Sequence, residues 1–407
     1  MSSPAPAPLD GTTVVDFTRV LSGPYCTMLL ADMGARVIKI EQPDRGDDTR
    51  AWGPPFVHGE SAYFLSVNRN KESLSLDLKA PAAQEVIAKL LERADVLVEN
   101  FRPGTMDRLG LGYETLAAAH PRLVYCSISG FGQSGPRRNE PGYDAVMQGE
   151  GGLMSITGAA DGPPFRLGVA ISDIVTGMFA AQGIAMALLA RVRSGRGQRV
   201  DIGMLDSTAA LLTYQAGIYF ATGRTPARMG NRHPTIVPYE TFAASDGDFV
   251  IAVGNDDQWR RFCVAIDAGT LADDERFATN QNRVAHYNEL RPLLAARLAE
   301  RPKEKWVSTL EAAGIPCGSV RNIAEVLGDA QLDARKMIET VDHVTAGAVR
   351  VLGVPIKLSD TPGAVRTAPP ALGQHTDNIL REDCGLSSGD IAALRASGAI
   401  RSLIPNP

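Results

Sequence analysis

The chain is poor in the features that mark disulfide-stapled, metal-centred and nucleic-acid-binding proteins. Its five cysteines, Cys26, Cys126, Cys263, Cys317 and Cys384, lie far apart, with no Cys-x-x-Cys pair and no zinc-ligand spacing. That usage fits a reduced, cytoplasmic chain. No two of the six histidines stand at metal-ligand spacing, so no metal is expected. The 46 acidic and 41 basic residues give a formal net charge of -5 without a long run of one sign, which excludes nucleic acid and an anionic membrane as expected partners. The first residues, Met1 to Pro8, lack the basic and apolar regions of a secretory signal. The longest apolar stretch, Thr176 to Val192, carries Gly177, Gln182 and Gly183. It is at the short limit for a membrane span and reads as a buried core helix. With no G-x-S-x-G elbow, Walker loop or H-E-x-x-H, serine-hydrolase, nucleotide-triphosphatase and metalloprotease chemistries lose their usual signals.

What is present is an ordinary globular composition, 407 residues with 44% hydrophobic, long enough for a large core and two domains. Strand and helix patterns alternate through the first half: strands at Thr13 to Thr18, Arg36 to Glu41, Ser73 to Leu78, Asp95 to Glu99 and Leu123 to Ile128, with helices at Pro24 to Met33, Ala82 to Arg93 and Tyr113 to His120. Short β-branched runs separated by amphipathic helices predict an α/β fold with a parallel, doubly wound sheet. A further strand is expected at Gln198 to Ile202 and a helix from Leu205 to Tyr219. The texture then changes. Gly, Pro, Asn and His crowd Arg224 to Pro238, followed by a hairpin pattern around Ser245-Asp-Gly-Asp248 and helical segments to Leu327. The expected organisation is a large first part over residues 1–222, a small α+β domain over 223–329, and a tail over 330–407 returning to the first. The tail is expected to hold one strand, Val349 to Val354, and a short helix near Gly389.

Gly130-Phe-Gly132-Gln-Ser-Gly135 matches G-x-G-x-x-G after a strand, but Pro136-Arg-Arg-Asn-Glu-Pro141 follows where a dinucleotide fingerprint requires a helix. It reads as a loop lining a cleft at the carboxyl edge of the sheet. Asn100-Phe-Arg102-Pro-Gly-Thr-Met-Asp-Arg108 leaves a strand directly. Its arginines suit phosphates, and the segment equally suits an ordinary strand-to-helix connection. Asp173 opens the small-residue helix. An acid there is either an N-cap or a tool, because a carboxylate can cap amides or act as a nucleophile.

In order along the chain, Leu9 to Thr18, Gly34-Ala-Arg-Val-Ile-Lys-Ile-Glu-Gln-Pro43 with Gly46-Asp47, Asn70-Lys71, Leu76-Asp-Leu-Lys79, Val98-Glu-Asn-Phe-Arg-Pro-Gly104, Gly195-Arg-Gly-Gln-Arg-Val-Asp201, Ala313 to Gly318 and Leu372 to Asp377 together resemble the class III CoA-transferases. That family includes formyl-CoA:oxalate and carnitine CoA-transferases and α-methylacyl-CoA racemase. The resemblance implies a Rossmann-like large domain with a smaller α+β domain and an interlocked homodimer. It implies acyl-CoA and a small carboxylic acid as partners, with coenzyme A as substrate and no tightly bound cofactor. By position, the catalytic aspartate falls on Asp173 and the CoA contacts on Leu21, Ser22, Gln42, Leu76, Asp77, Leu78, Lys79, Asn100, Phe101, Arg102, Arg108, Tyr143 and Asp144. Formyl-CoA transferase has glutamine at the place of Leu21 and arginine at that of Gln42. Its glycine-rich lid is replaced here by Met229 to Pro234 and Pro238 to Phe242, a pattern resembling relatives that act on dicarboxylic acids.

The implied reaction moves CoA from a donor such as succinyl-CoA to a free acid through an aspartyl anhydride and an aspartyl-CoA thioester. The alternatives are a racemase and a non-catalytic acyl-CoA-binding protein. Racemase members use a histidine where this chain has Tyr143. A phenol, with an ordinary pKa near 10, is a poor base at neutral pH, which favours transfer.

Overall fold

The structure is a computed structural model that describes residues 6–402. Six strands, β1 (Thr13–Asp16), β2 (Arg36–Glu41), β3 (Lys71–Ser75), β4 (Val96–Glu99), β5 (Val124–Ser129) and β6 (Arg199–Gly203), form one parallel sheet. They lie in the order β3-β2-β1-β4-β5-β6. The inner strands carry adjacent apolar residues, Val14-Val15, Val37-Ile38 and Val96-Leu97-Val98, because helices cover both faces. Val15, Ile38, Leu97 and Tyr125 pack on one side with the helix Ala83–Leu91, and Val14, Val37, Val96, Val124 and Cys126 on the other. In this strand order the chain leaves β1 and β4 toward opposite sides, which opens a crevice at their carboxyl ends.

Helix α1 (Ser22–Asp32) follows β1, and the 24-residue α2 (Ile171–Ser194) packs against it. Gly177 permits the close approach: a Cβ there would stand 2.6 Å from the Ser22 carbonyl oxygen. Gly183 does the same against Val200, at 2.8 Å. The expected buried core helix over Thr176 to Val192 is buried on one face only. Ala180, Ile184 and Ala187 enter the core, yet Met178, Met186 and Leu189 are 52%, 60% and 62% exposed. An all-apolar sequence still has two faces at 3.6 residues per turn, and composition does not tell them apart. Among the described residues α2 is the one helix long and apolar enough to cross a membrane, and its buried face lies on the sheet.

Other expectations also shift. The third strand is Lys71–Ser75 rather than Ser73 to Leu78, because Lys71 is accommodated in the interior by ion pairing and hydrogen bonds. The helix expected from Leu205 to Tyr219 is two, Met204–Ala210 and α3 (Thr213–Thr222), separated where Thr213 takes φ +36°. The tail opens on a short helix, Ala330–Ala334, holds an antiparallel hairpin, Ile338–His343 with Gly347–Leu352, instead of one strand, and ends in the helices Thr376–Glu382 and Ser388–Ala396. Backbone amides of Ser73 and Ser75 donate to His375 Nδ1 (3.2 Å) and Thr376 Oγ1 (3.0 Å). The tail thereby satisfies the free edge of β3.

The chain forms two compact units. One consists of the chain up to Leu153, Leu167–Tyr214 and the chain from Ala330 onward; the other of Met154–Arg166 and Gln215–Asp329. The second has a three-stranded antiparallel sheet, Tyr239–Ala244, Gly247–Ala252 and Cys317–Ser319. Its core is built around Trp259, Trp306, Phe242, Phe249 and Phe262.

Candidate active site

A cavity of about 160 Å³ lies at the carboxyl edge of the sheet, where the chain leaves β1, β4 and β5. Arg19, Val20 and Ser22 line it after β1, Asn100 to Pro103 after β4, and Gly130 and Gly142 beyond β5, with Tyr143 and Asp173 completing the wall. Glycine is required at the Gly130–Gly142 crossing, because a Cβ on Gly142 would sit 2.5 Å from the Gly130 Cα. Asn100 fastens the first loop to the second: its Oδ1 accepts from the Arg19 amide at 2.9 Å and its Nδ2 donates to the Arg19 carbonyl at 2.7 Å. Val20 takes φ +71° and donates its amide to Asp47 Oδ1 at 3.1 Å. The loop that presents Ser22 is therefore fixed on both sides.

Asp173 is 9% exposed and is the third residue of α2. It is no cap. The N-cap position is Ala170, and the helix has no capping bond from its own start. Asp144 fills the capping role from outside, its Oδ1 accepting the Ser172 amide at 2.9 Å while Gln148 Nε2 donates to its Oδ2 at 2.8 Å. Burial pushes the Asp173 carboxyl up to about 7, the Asp144 charge adds to that, and a hydrogen bond with the Ser22 side chain opposes both. A buried acid that neither caps nor pairs with a cation is costly to the fold, a common mark of chemical use. Tyr63 shares its field: burial and then Asp173 and Asp144 drive the phenol up to about 12.

A second cavity of about 320 Å³ opens where β2 and β3 end. Gln42, Leu76, Asp77, Leu78, Lys79 and Phe101 line it, together with Phe17 and Ile40. Of the residues expected at the site, Ser22, Asn100, Phe101, Arg102, Tyr143 and Asp173 therefore meet at the first cavity, and Gln42, Leu76 to Lys79 and Phe101 at the second. Three fall elsewhere. Leu21 turns inward against Met28 and Val67, Arg108 bonds Thr105 Oγ1 at 3.0 Å, and Asp144 is occupied in capping α2. The Gln42 side chain folds onto its own turn, accepting from the amides of Asp44 and Arg45 at 2.9 and 2.7 Å. Sequence reasoning missed Arg19, Val20 and Asp48 on the first wall, and also Tyr63. A residue directly after a parallel strand was the available signal for Arg19; Tyr63 had none.

Comparison with known proteins agrees in one direction. Residues 9–376 match CoA-transferase family III. The chain is 43% identical to succinyl-CoA:glutarate CoA-transferase of Mus musculus, over 97% of this chain and 90% of that protein. It is 45% identical to acetyl-CoA:oxalate CoA-transferase of Acetobacter aceti, over 86% and 89% of the two chains. Among solved structures, a CAIB/BAIF family protein from Brucella suis superposes with a TM-score of 0.83 at 42% identity, over 93% of this chain and all of that one.

Proposed function

The chain belongs to CoA-transferase family III, and on that premise we propose that it transfers CoA from succinyl-CoA to a second small dicarboxylic acid, with Asp173 as the nucleophile. Coenzyme A enters as a substrate, bound through its thioester. The observation that carries the assignment is a buried, uncapping carboxylate on the wall of the cavity at the β1/β4 crevice. Succinyl-CoA as donor and a dicarboxylate as acceptor rest on the similarity to succinyl-CoA:glutarate CoA-transferase.

The chemistry balances without a net proton. Asp173 attacks the thioester carbon, forming an acyl-aspartyl anhydride and expelling CoA thiolate. The thiolate attacks the aspartyl carbonyl, giving an aspartyl-CoA thioester and the free donor acid. The acceptor carboxylate attacks that thioester, forming a new anhydride, and the thiolate then takes the acceptor acyl group and regenerates the Asp173 carboxylate. A carboxylate nucleophile retains the activated acyl group, provided water is kept out. The glycine backbone at Gly130 and Gly142 borders the same cavity, and we assign it to the developing oxyanion. Mixing the enzyme with succinyl-CoA and a panel of free acids, and following new thioesters by mass, tests the reading. Thioester hydrolysis alone, or exchange of an α-proton with solvent deuterium in place of transfer, would overturn it.

Asp173 must be ionised to attack, so kcat/KM should rise with pH through about 7 and lose activity below it. At pH 6 about a tenth of the plateau should remain, as a single group titrating near 7 requires. Asp144→Asn keeps an oxygen for the Ser172 amide and removes the charge that raises Asp173. Its acid limb is expected to move to lower pH, as measured by kcat/KM profiles on both proteins; an unmoved or basic-shifted limb contradicts the electrostatic link.

We also assign an interlocked homodimer, supported by the exposed stripe Met178, Met186 and Leu189 on α2 and by α3, which has no buried residue and exposes Tyr219 and Phe220. Light scattering is expected to give twice the chain mass, undiminished on dilution to nanomolar concentration. A monomer at that dilution would refute the interlock.

A further inference from the structure

The catalytic cavity and the second cavity are lined by different residues with two exceptions, Arg19 and Phe101. Phe101 contributes a ring. Arg19 is the only cation among the residues lining both.

Three properties make Arg19 suited to an anion that crosses the junction. Its backbone is held by both side-chain atoms of Asn100, so the point from which the side chain swings is fixed. The guanidinium lies 5.8 Å from the Phe101 ring centroid, beside the shared wall. Its ion pair with Asp48, at 3.2 Å, is 54% exposed on the arginine side, and exposed pairs of this kind are weak. Exchange of Asp48 for a better anion is therefore easy. The other cations on the second cavity are placed differently. Lys39 is buried and already bonded to Asp47 Oδ2 at 2.8 Å and the Thr18 carbonyl at 2.6 Å, and Lys79 lines the second cavity alone.

Resting on the reading of the chain as a CoA-transferase, we infer that Arg19 binds the diphosphate of coenzyme A at the junction of the two cavities, releasing Asp48 as it does so. Coenzyme A joins a thiol-bearing pantetheine arm to an adenine nucleotide through that diphosphate. With the thioester at Asp173 in the first cavity, the apolar walls Phe17, Ile40, Leu76 and Leu78 of the second suit the purine, and the diphosphate falls between. A planar, forked guanidinium matches two phosphate oxygens at once. This also accounts for a site in which Gln42 is turned into its own loop and offers no charge.

The test compares wild type, Arg19→Met and Arg19→Lys by calorimetric binding of coenzyme A and by transfer from succinyl-CoA and from succinyl-pantetheine, which lacks the nucleotide and the diphosphate. Arg19→Met should weaken CoA binding and raise KM for succinyl-CoA on the order of 10- to 100-fold, the loss of a hydrogen-bonded charge. The loss on succinyl-pantetheine should be at least several-fold smaller than that on succinyl-CoA, and Arg19→Lys should recover part of the loss on succinyl-CoA. Equal losses on both thioesters would mean that Arg19 acts by shaping the loop, and no loss on succinyl-CoA would mean that it makes no contact; either overturns the inference. If wild type binds no coenzyme A, the functional reading fails and takes the inference with it.

Discussion

Asp173→Ala is expected to lower kcat for CoA transfer on the order of 10⁴-fold or more, as removal of a nucleophile does in enzymes that act through a covalent intermediate. Two neighbouring acids are already engaged: Asp144 accepts hydrogen bonds from Ser172 and Gln148, and Glu140 accepts from Arg137. Hydroxylamine added with succinyl-CoA should convert Asp173 of the wild type to a hydroxamate, readable by peptide mass, and should leave the alanine variant untouched. Stability separates this role from a cap. Loss of an N-cap costs about 1 kcal/mol, whereas a carboxyl pushed up to about 7 is disfavoured in its ionised form by the fold. Its contribution to stability therefore falls as pH rises above the unfolded value near 4 and levels off past 7. At pH 8 Asp173→Ala should melt at or above the wild-type temperature. A variant that transfers CoA at the wild-type rate would remove Asp173 from the chemistry, and one that melts lower would restore the cap.

The parallel sheet was legible because strands covered on both faces must be apolar on both, and Val96-Leu97-Val98 shows that pattern, whereas Arg36–Glu41 carries Arg36, Lys39 and Glu41 and meets it only at Val37, Ile38 and Ile40. The motif order also pointed to the cavity, since a doubly wound sheet brings every loop after a strand to one edge. What escaped depended on contacts distant in sequence. The local sequence left Asp173 open between a cap and a nucleophile because the start of α2 is set partly by Asp144, 28 residues before Ser172, and nothing local reveals that donor-acceptor pair. The strand Ile338–His343 carries Glu339 and Asp342 and lacks the apolar run of its partner, so only pairing with Gly347–Leu352 makes it a strand. Leu21 was placed among the CoA contacts by position, but an apolar side chain beside Met28 and Val67 gains more from burial than from a polar cavity. Arg19 lay outside every motif and depends on Asn100, 81 residues away, for its place.

Asp47→Ala should be the most damaging change to the scaffold, costing about 3–5 kcal/mol and lowering the melting temperature by on the order of 10 °C. Both its side chain and that of Lys39 are fully buried and meet at 2.8 Å. Burial pushes the Asp47 carboxyl up, but Lys39 and the donors of Thr49 outweigh it and bring the group down to about 2. A depressed carboxyl contributes stability above its unfolded value near 4 and loses it as pH falls toward 2, so the cost of the substitution should shrink in acid. Truncating Asp47 leaves the Lys39 ammonium in the interior beside the Thr18 carbonyl without its nearest counter-ion. Replacing both partners by apolar residues of similar size, Lys39→Met with Asp47→Leu, removes the unpaired charge and should recover most of the lost stability. Activity should not follow. Asp47 Oδ1 is what receives the Val20 amide at φ +71° and so fixes the turn that sets Ser22 against Asp173. The double variant should therefore melt near wild type while transferring CoA at least about tenfold more slowly, the size of effect expected when a reacting geometry is loosened. Equal recovery of melting temperature and kcat would show that the buried pair serves folding alone and that Val20 holds its conformation without it.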